Sequence, residues 1–342
     1  MNLFFDSIIV AYLVSALTFA VATFRDRKVP GKWEYKHPRI TLTVFIVLCF
    51  SVLVVLWGSF VEPRRITINP VSIDLPNFDP TKPVRIALIS DVHVGTYKKD
   101  GWVRRVAQRI TQENPDFVFI AGDLIVDKAE HTQYLSAFEE LTSKFQVYAV
   151  LGDHDYQVKK KPVFKIREDI AQTVSNALIQ AGVQVLQNEV RAVEKYGASF
   201  TLVGLDDWLA GKTDMARALS SCHPERSEGS RVIRDQRDPS ATPQDDKVCT
   251  PTLVLVHNPD FILDPESKNA DLILAGNTHG GQIRLPVIGP VPRLPSKLPR
   301  TFDEGLFTLE NGTRLFITSG ISESGPRARL FNPPEIVILE LY

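Results

Sequence analysis

The sequence predicts an α/β protein carried behind a pair of membrane-spanning helices. Three observations predict it: two uncharged apolar stretches near the N-terminus, a series of short apolar runs each closed by a polar cluster, and helix-like segments alternating with those runs. Short β-branched runs read as buried strands, and their alternation with amphipathic segments reads as α/β layers.

Taken in order, Ser7 to Phe24 is just long enough to cross a bilayer core and Ile40 to Val61 is comfortably so, since a span takes ~20 helical residues. No Lys or Arg precedes the first stretch and no convincing small-residue cleavage site follows it, so it does not read as a secretory signal. Residues 1–61 are therefore expected to form a transmembrane hairpin, with spans at about 7–24 and 40–61. The intervening loop holds Arg25, Arg27, Lys28, Lys32, Lys36 and Arg39 against Asp26 and Glu34. The positive-inside rule puts that loop in the cytoplasm and the rest of the chain outside, although Arg64 and Arg65 pull the other way. Residues 62–83, with Pro63, Pro70, Pro76, Pro80 and Pro83, predict an extended lead-in rather than a helix.

From residue 84 to 342 the pattern is that of one catalytic-sized domain. Val84–Ile89, Phe117–Ile120, Val147–Leu151, Leu253–Val256 and Leu272–Ala275 are strand-like. Trp102, Val103, Val106 and Ile110 share one helical face, and Ile170 to Ala181 reads as a helix closed by Gly182. Gln184–Leu186 and Phe200–Val203 return to strand. Residues 221–249 are polar and charged and too poor in apolar side chains to offset the entropy of ordering them, so they predict a disordered insertion. Cys222 and Cys249 flank it and their pairing is left open, His223 within it is set aside as a ligand, and Cys49 sits in an apolar stretch. A net charge of −1 gives no ground for nucleic-acid binding, and no phosphate-binding G-x-x-x-x-G-K-[ST] occurs.

The polar clusters carry the chemistry. They are Asp91-Val92-His93, Gly122-Asp123, Gly152-Asp153-His154-Asp155, His257-Asn258 and Gly276-Asn277-Thr278-His279. Open α/β sheets bind ligands outside the carboxyl ends of their strands, and oxygens and imidazoles gathered there suit a two-metal hydrolytic centre. An isolated Asp at a strand end as often caps the next helix; the ordered set is what points to metal.

In that order the clusters resemble the calcineurin-like metallophosphoesterase family over roughly residues 81 to 342. The likeness is greatest to a bacterial branch with an N-terminal membrane anchor, through His257-Asn258-Pro259-Asp260, the run Thr278 to Pro286, and Pro333-Pro334-Glu335-Ile336. The resemblance implies a four-layer α/β/β/α sandwich and two divalent cations. One would be held by Asp91, His93, Asp123 and His279, the other by Asp123 again with Asp153, His257 and Asn277. The chain departs from the family pattern twice, with Asp153 where the family has Asn and Asn277 where it has His. The harder, oxygen-richer set favours Mn²⁺, Fe²⁺ or Mg²⁺ over Zn²⁺, with Mn²⁺ first.

By the same resemblance, His154 would donate a proton to the leaving group and Asp155 would orient an imidazole. Gly276, Gly280 and Gly281 would either allow close backbone approach or simply turn the chain. Arg327 and Arg329 would contact substrate phosphate or form a solvated patch. The expected function is metal-dependent hydrolysis, at the bacterial inner membrane, of a membrane lipid or lipid-linked phosphodiester or pyrophosphate. One relative of this layout cleaves the pyrophosphate of UDP-2,3-diacylglucosamine; a nucleotide sugar is cytoplasmic, whereas the loop charges put the domain outside, and envelope phospholipids avoid that conflict. The alternative from another class is a membrane-anchored binding or scaffolding protein with a degraded metal site.

Overall fold

The computed structural model describes residues 2–159, 163–220 and 250–342. The expected insertion at 221–249, with Cys222, His223 and Cys249, lies outside the described residues.

Helix α1 (Asn2–Asp26), a single turn α2 (Trp33–Lys36) and helix α3 (Pro38–Leu56), extended by a π-helical turn at Trp57–Val61, form an antiparallel hairpin. Both long helices are long and apolar enough to cross a membrane. Phe4, Val14, Leu17, Phe19, Val21, Ile46, Phe50 and Leu53 stand exposed on them, an apolar surface larger than a water-facing helix pair presents. Between the helices, the Tyr12 hydroxyl donates to Ser51 Oγ at 2.6 Å.

Two six-stranded sheets follow. The strands are β1 (Thr67–Ile73), β2 (Val84–Ile89), β3 (Phe117–Ala121), β4 (Gln146–Val150), β5 (Gln184–Val185), β6 (Glu189–Lys195), β7 (Ala198–Gly204), β8 (Thr252–Leu255) and β9 (Leu272–Ala275), then a small hairpin β10 (Arg284–Leu285) and β11 (Gly289–Pro290), and finally β12 (Gly305–Thr308), β13 (Arg314–Ile317) and β14 (Glu335–Leu341). One sheet runs β1-β14-β2-β3-β4-β5 and the other β12-β13-β9-β8-β7-β6. In the first, β2, β3, β4 and β5 are parallel neighbours; in the second, β7, β8, β9 and β13 are.

Side-chain alternation builds the layers. In β2, Ile86 and Leu88 face the other sheet while Ala87 and Ile89 face helices. In β3 the same split separates Phe117 and Phe119 from Val118 and Ile120, and in β8 it separates Leu253 and Leu255 from Val254. The period of two along a strand is what lets a wholly apolar run serve two cores. Helices α4 (Asp100–Glu113) and α6 (Glu168–Gln180) cover the first sheet with Val103, Val106, Ile110, Val174 and Leu178, with α5 (Glu139–Thr142) beside them. The outer face of the second sheet is covered by α7 (Met215–Ser220) and short 3₁₀ turns, through Met215, Ala218 and Phe261. The fold is the four-layer α/β/β/α sandwich.

The Pro-rich lead-in differs from expectation. It is extended, but Thr67–Ile73 is also an edge strand of the first sheet, parallel to β14 from Thr67 opposite Glu335 to Ile73 opposite Leu341. Pro70 is tolerated because an edge strand needs to pair on one side only. At the other boundary, α6 ends at Gln180 and Gly182 takes φ +81°, the left-handed stop that its glycine suggests.

Phe119 is fully buried between the sheets. Replacing it with Ala is expected to cost about 3–5 kcal/mol in chemical denaturation of the detergent-solubilised chain, whereas Leu306→Ala, at a side chain 41% exposed, should stay within about 0.5 kcal/mol.

Candidate metal centre

Five loops converge where the parallel strands of both sheets end. Asp91 and His93 follow β2, Asp123 follows β3, Asp153 to Asp155 follow β4, His257 follows β8, and Asn277 and His279 follow β9. Ladder bonds continue past the strands and fix these loops against each other: Asp91 N donates to Gly122 O at 3.0 Å, His93 N to Asp123 O at 3.0 Å and Gly276 N to His257 O at 2.9 Å. Within them Asp91, His93, Asp123, Asn277 and His279 all have positive φ, between 44° and 68°. Such backbone costs of order 1–3 kcal/mol per residue and persists where the surroundings over-determine it.

The side chains meet closely. Asp123 Oδ2 lies 3.2 Å from His257 Nε2 and 3.5 Å from His93 Nε2. Asp91 Oδ1 lies 3.2 Å from His279 Nε2 and 3.8 Å from His93 Nε2. The two rings of His93 and His279 stack, with their Nε2 atoms 3.3 Å apart. Asp153 Oδ1 is 3.6 Å from His257 Nε2. Asn277 donates its backbone N–H to Asp91 Oδ2 at 3.2 Å and its side-chain amide to Pro295 O at 3.3 Å, so the amide oxygen is the atom it could offer a cation.

The donor set fits cations. His257 Nδ1 contacts Ala121 O at 2.7 Å and His279 Nδ1 contacts Ser322 O at 3.0 Å. A carbonyl accepts only, so Nδ1 carries a proton and Nε2 is the nitrogen turned toward the carboxylates. Each Nε2 then faces a carboxylate oxygen at 3.2 Å. Asp91 Oδ1 and His257 Nε2 are buried without a hydrogen-bond partner in the protein. Buried nitrogens and carboxylate oxygens this close call for a positive charge between them, a proton or a cation. The electrostatics of the cluster point the same way. Burial opposes charge on His257, yet Asp123 and then Asp153 hold it well above the usual histidine range. Burial pulls His93 well below that range. His154 is pushed up to about 9, Asp123 and Asp153 outweighing its burial.

His154 stands at the edge of this group. Its Nδ1 contacts Val126 O at 2.8 Å and its backbone N–H donates to Asp123 Oδ1 at 2.9 Å. Its ring meets His93 edge-on at 4.7 Å. A cavity of about 440 Å³ opens beside it, lined among others by His93, Asp153, His154, Gln157, Lys98 and Arg327.

Two expectations need correction. Asp155 does not orient an imidazole: its carboxylate accepts from Leu124 N at 2.9 Å, Ile125 N at 3.1 Å and Gly152 N at 2.9 Å. It is fully buried and clamps the loop after β3 to the loop after β4. Arg329 neither contacts solvent nor reaches the cavity. It is fully buried, donating to the carbonyls of Ser319, Gly320, Ser322 and Asn332. The Ser322 carbonyl is the one that also receives His279, so Arg329 and Ser322 together set that ring. Residue typing could not find Ser322, because its backbone does the work. Gly276 is needed for close approach, since a Cβ there would lie 1.9 Å from Ser90 Oγ and 2.8 Å from Asp91 Oδ2.

The profile of the calcineurin-like phosphoesterase family matches residues 84–281. Among curated proteins, an uncharacterized metallophosphoesterase of Campylobacter jejuni is 27% identical over 275 residues, covering 80% of this chain and 63% of that protein. One of Helicobacter pylori is 27% identical over 318 residues, 91% of this chain and 74% of that protein. The UDP-2,3-diacylglucosamine pyrophosphatase LpxG of Chlamydia trachomatis is 23% identical over 344 residues, 88% of this chain and 96% of that protein. The chain thus spans under two thirds of the length of the Campylobacter relative.

Lys98 links this centre to the segment that follows the hairpin. Its Nζ donates to Ile321 O at 3.1 Å and to Pro63 O at 3.4 Å and pairs with Glu323 at 2.9 Å. Burial, partly offset by Glu323, lowers it from 10.5 to about 8. Between those two values the unfolded chain binds the proton that the folded chain has lost, so stability should rise with pH over that window. Denaturation midpoints measured from pH 7 to 11 should show this rise in the wild type and a flatter profile in Lys98→Met.

Proposed function

The chain belongs to the calcineurin-like phosphoesterase family and is a metal-dependent phosphoester hydrolase, and on that premise we propose that it is membrane-anchored and cleaves a lipid-linked phosphodiester or pyrophosphate. The single observation that carries the metal assignment is the apposition of the His257 and His279 Nε2 atoms to carboxylate oxygens at 3.2 Å in a buried cluster. In this reading Asp91, His93, Asp123 and His279 hold one divalent cation, and Asp123, Asp153, His257 and Asn277 the other. When bound, a cation pair neutralises the phosphoryl oxygens and acidifies water for attack at phosphorus.

The chain's own residues do the rest. Asp123, reached by histidines from both sheets, fixes the distance between the two halves of the centre. His154 is tethered through Nδ1 to Val126 O, so its Nε2 is the atom available to protonate the departing oxygen. Asp155 keeps His154 in place by pinning the loop that bears it. Thr318 and Ser319, bonded to buried Glu335 at 2.9 and 2.8 Å, hold the segment that leads to Ser322. The lipid-linked substrate is supported by two helices apolar enough to cross a membrane and by the similarity to LpxG, which acts on UDP-2,3-diacylglucosamine. The basic loop between those helices favours a bacterial inner-membrane location with the domain on the extracytoplasmic side.

The first test is hydrolysis of bis-p-nitrophenyl phosphate by the detergent-solubilised chain, stripped of metal and reloaded. Turnover should depend on metal and vanish in Asp123→Ala; His154→Gln should lower kcat by about 10²–10⁴-fold while retaining metal. Metal-independent turnover, or none with any divalent ion, would overturn the reading.

Metal preference follows from the two unusual ligands. Mn²⁺ should support the fastest turnover in the wild type. The double variant Asp153→Asn, Asn277→His should shift preference toward Zn²⁺, because imidazole is the softer donor; metal content after competitive loading checks this.

A further inference from the structure

We propose that Arg327 is the anion-recognition residue of the cavity beside the metal centre, and that Asp6 of the first membrane helix occupies it until a phosphoester anion displaces the carboxylate. The proposal rests on the phosphoester hydrolysis argued above and adds the residue that selects the anion and the element that competes with it.

The cavity is lined by His93, Asp153 and His154 of the candidate centre and also by Tyr97, Lys98, Gly325 and Arg327. At about 440 Å³ it suits a phosphorylated head group, the usual range for ligand sites being ~300–1,000 Å³. An anion there needs a cation besides the metal ligands. Lys98 is committed to Ile321 O, Pro63 O and Glu323, and Lys159 stands at the exposed rim. Arg327 remains. Its guanidinium lies 4.0 Å over the Tyr97 ring, a stack that holds the group in place whether or not an acid is bound to it.

What Arg327 now faces is a carboxylate from another part of the chain. Asp6 Oδ1 lies 3.4 Å from Arg327 Nε, and Asp6 Oδ2 accepts from the Tyr97 hydroxyl at 2.6 Å. Phe5 beside it lies near Gly325, another lining residue, where an added Cβ would stand 3.9 Å from the Phe5 ring. A guanidinium and a hydroxyl converging on two oxygens of one anion is also the donor set that a phosphodiester takes. Both partners of the ion pair keep a quarter of their side-chain surface exposed, and pairs of that kind are weak. A phosphate also held at the metal centre can therefore replace Asp6. Because Asp6 is on a membrane helix, the anion is exchanged at the bilayer surface, where a lipid head group arrives.

The test is a double-mutant cycle on the full chain in detergent, loaded with Mn²⁺. Two readouts run in parallel: KM for bis-p-nitrophenyl phosphate, and calorimetric binding of diethyl phosphate, a diester anion that resists hydrolysis. Arg327→Gln should weaken both by about ten- to a hundredfold, the weight of a charged hydrogen bond, with a smaller effect on kcat, and Arg327→Lys should recover part of the loss. Asp6→Asn should tighten both by up to about fivefold, and should do nothing once Arg327 is Gln. Dioleoyl-phosphatidylglycerol in mixed micelles, competing better than diethyl phosphate, would assign the anion to a lipid; equal competition would assign it to a soluble phosphoester. Unchanged binding in Arg327→Gln, or an Asp6→Asn effect that persists without Arg327, overturns the proposal. Loss of turnover in the wild type with diethyl phosphate binding still sensitive to Arg327 would sink the hydrolase reading and leave this one standing.

Discussion

One carboxylate ties the molecule together. Asp123 follows a strand of the first sheet, and its oxygens meet His93 from the same sheet, His257 from the other, and the backbone N–H of His154. It is buried, as are Asp91 and three of the histidines around it. Concentrated charge of this kind is unfavourable in a low-dielectric interior unless compensated. Divalent cations, which these residues could hold, would supply that compensation, and the two-sheet packing brings the candidate ligands together. The apolar layer between the sheets is therefore not separable from the chemistry: it sets the distance between the ligands of β2, β3 and β4 and those of β8 and β9.

The loops that carry these ligands are held by groups that never reach the cavity. Asp155 saturates its carboxylate with three backbone amides, and Arg329 gathers four carbonyls. Buried groups bonded at several points fix a conformation, and here the conformation includes five left-handed backbone positions at candidate ligand residues. The strain and the clamps belong together. A ligand loop with relaxed backbone would point its side chains elsewhere, and a strained loop without clamps would relax.

The apolar helical hairpin is joined to the same framework. Glu62, just past its second helix, accepts from Asn332 N at 2.6 Å, and the Asn332 side chain donates to His279 O at 2.7 Å. Gly58 O accepts from Arg329 N at 2.8 Å. Two hydrogen bonds thus separate the end of the second apolar helix from His279 of the candidate metal centre, while Asp6 of the first apolar helix touches the cavity wall from the same end of the hairpin. The hairpin and the candidate site are packed together, with the cavity beside the helix ends.

The sequence by itself determined the α/β layers, the two apolar spans and the ordered Asp and His clusters, because periodicity and residue type are local properties. Its reading of Asp155 and Arg329 failed for a physical reason: a buried ion looks the same in sequence whether it faces a ligand or a ring of backbone amides or carbonyls. The sequence likewise marked residues 62–83 as extended but could not see that Thr67–Ile73 lies against β14, since that pairing joins segments at opposite ends of the domain. Only the tertiary structure decided which imidazole nitrogens face which carboxylates, that the Ser322 carbonyl orients His279, and that Asp6 sits on Arg327. Each of these depends on distances between residues far apart in the chain, which no local pattern encodes.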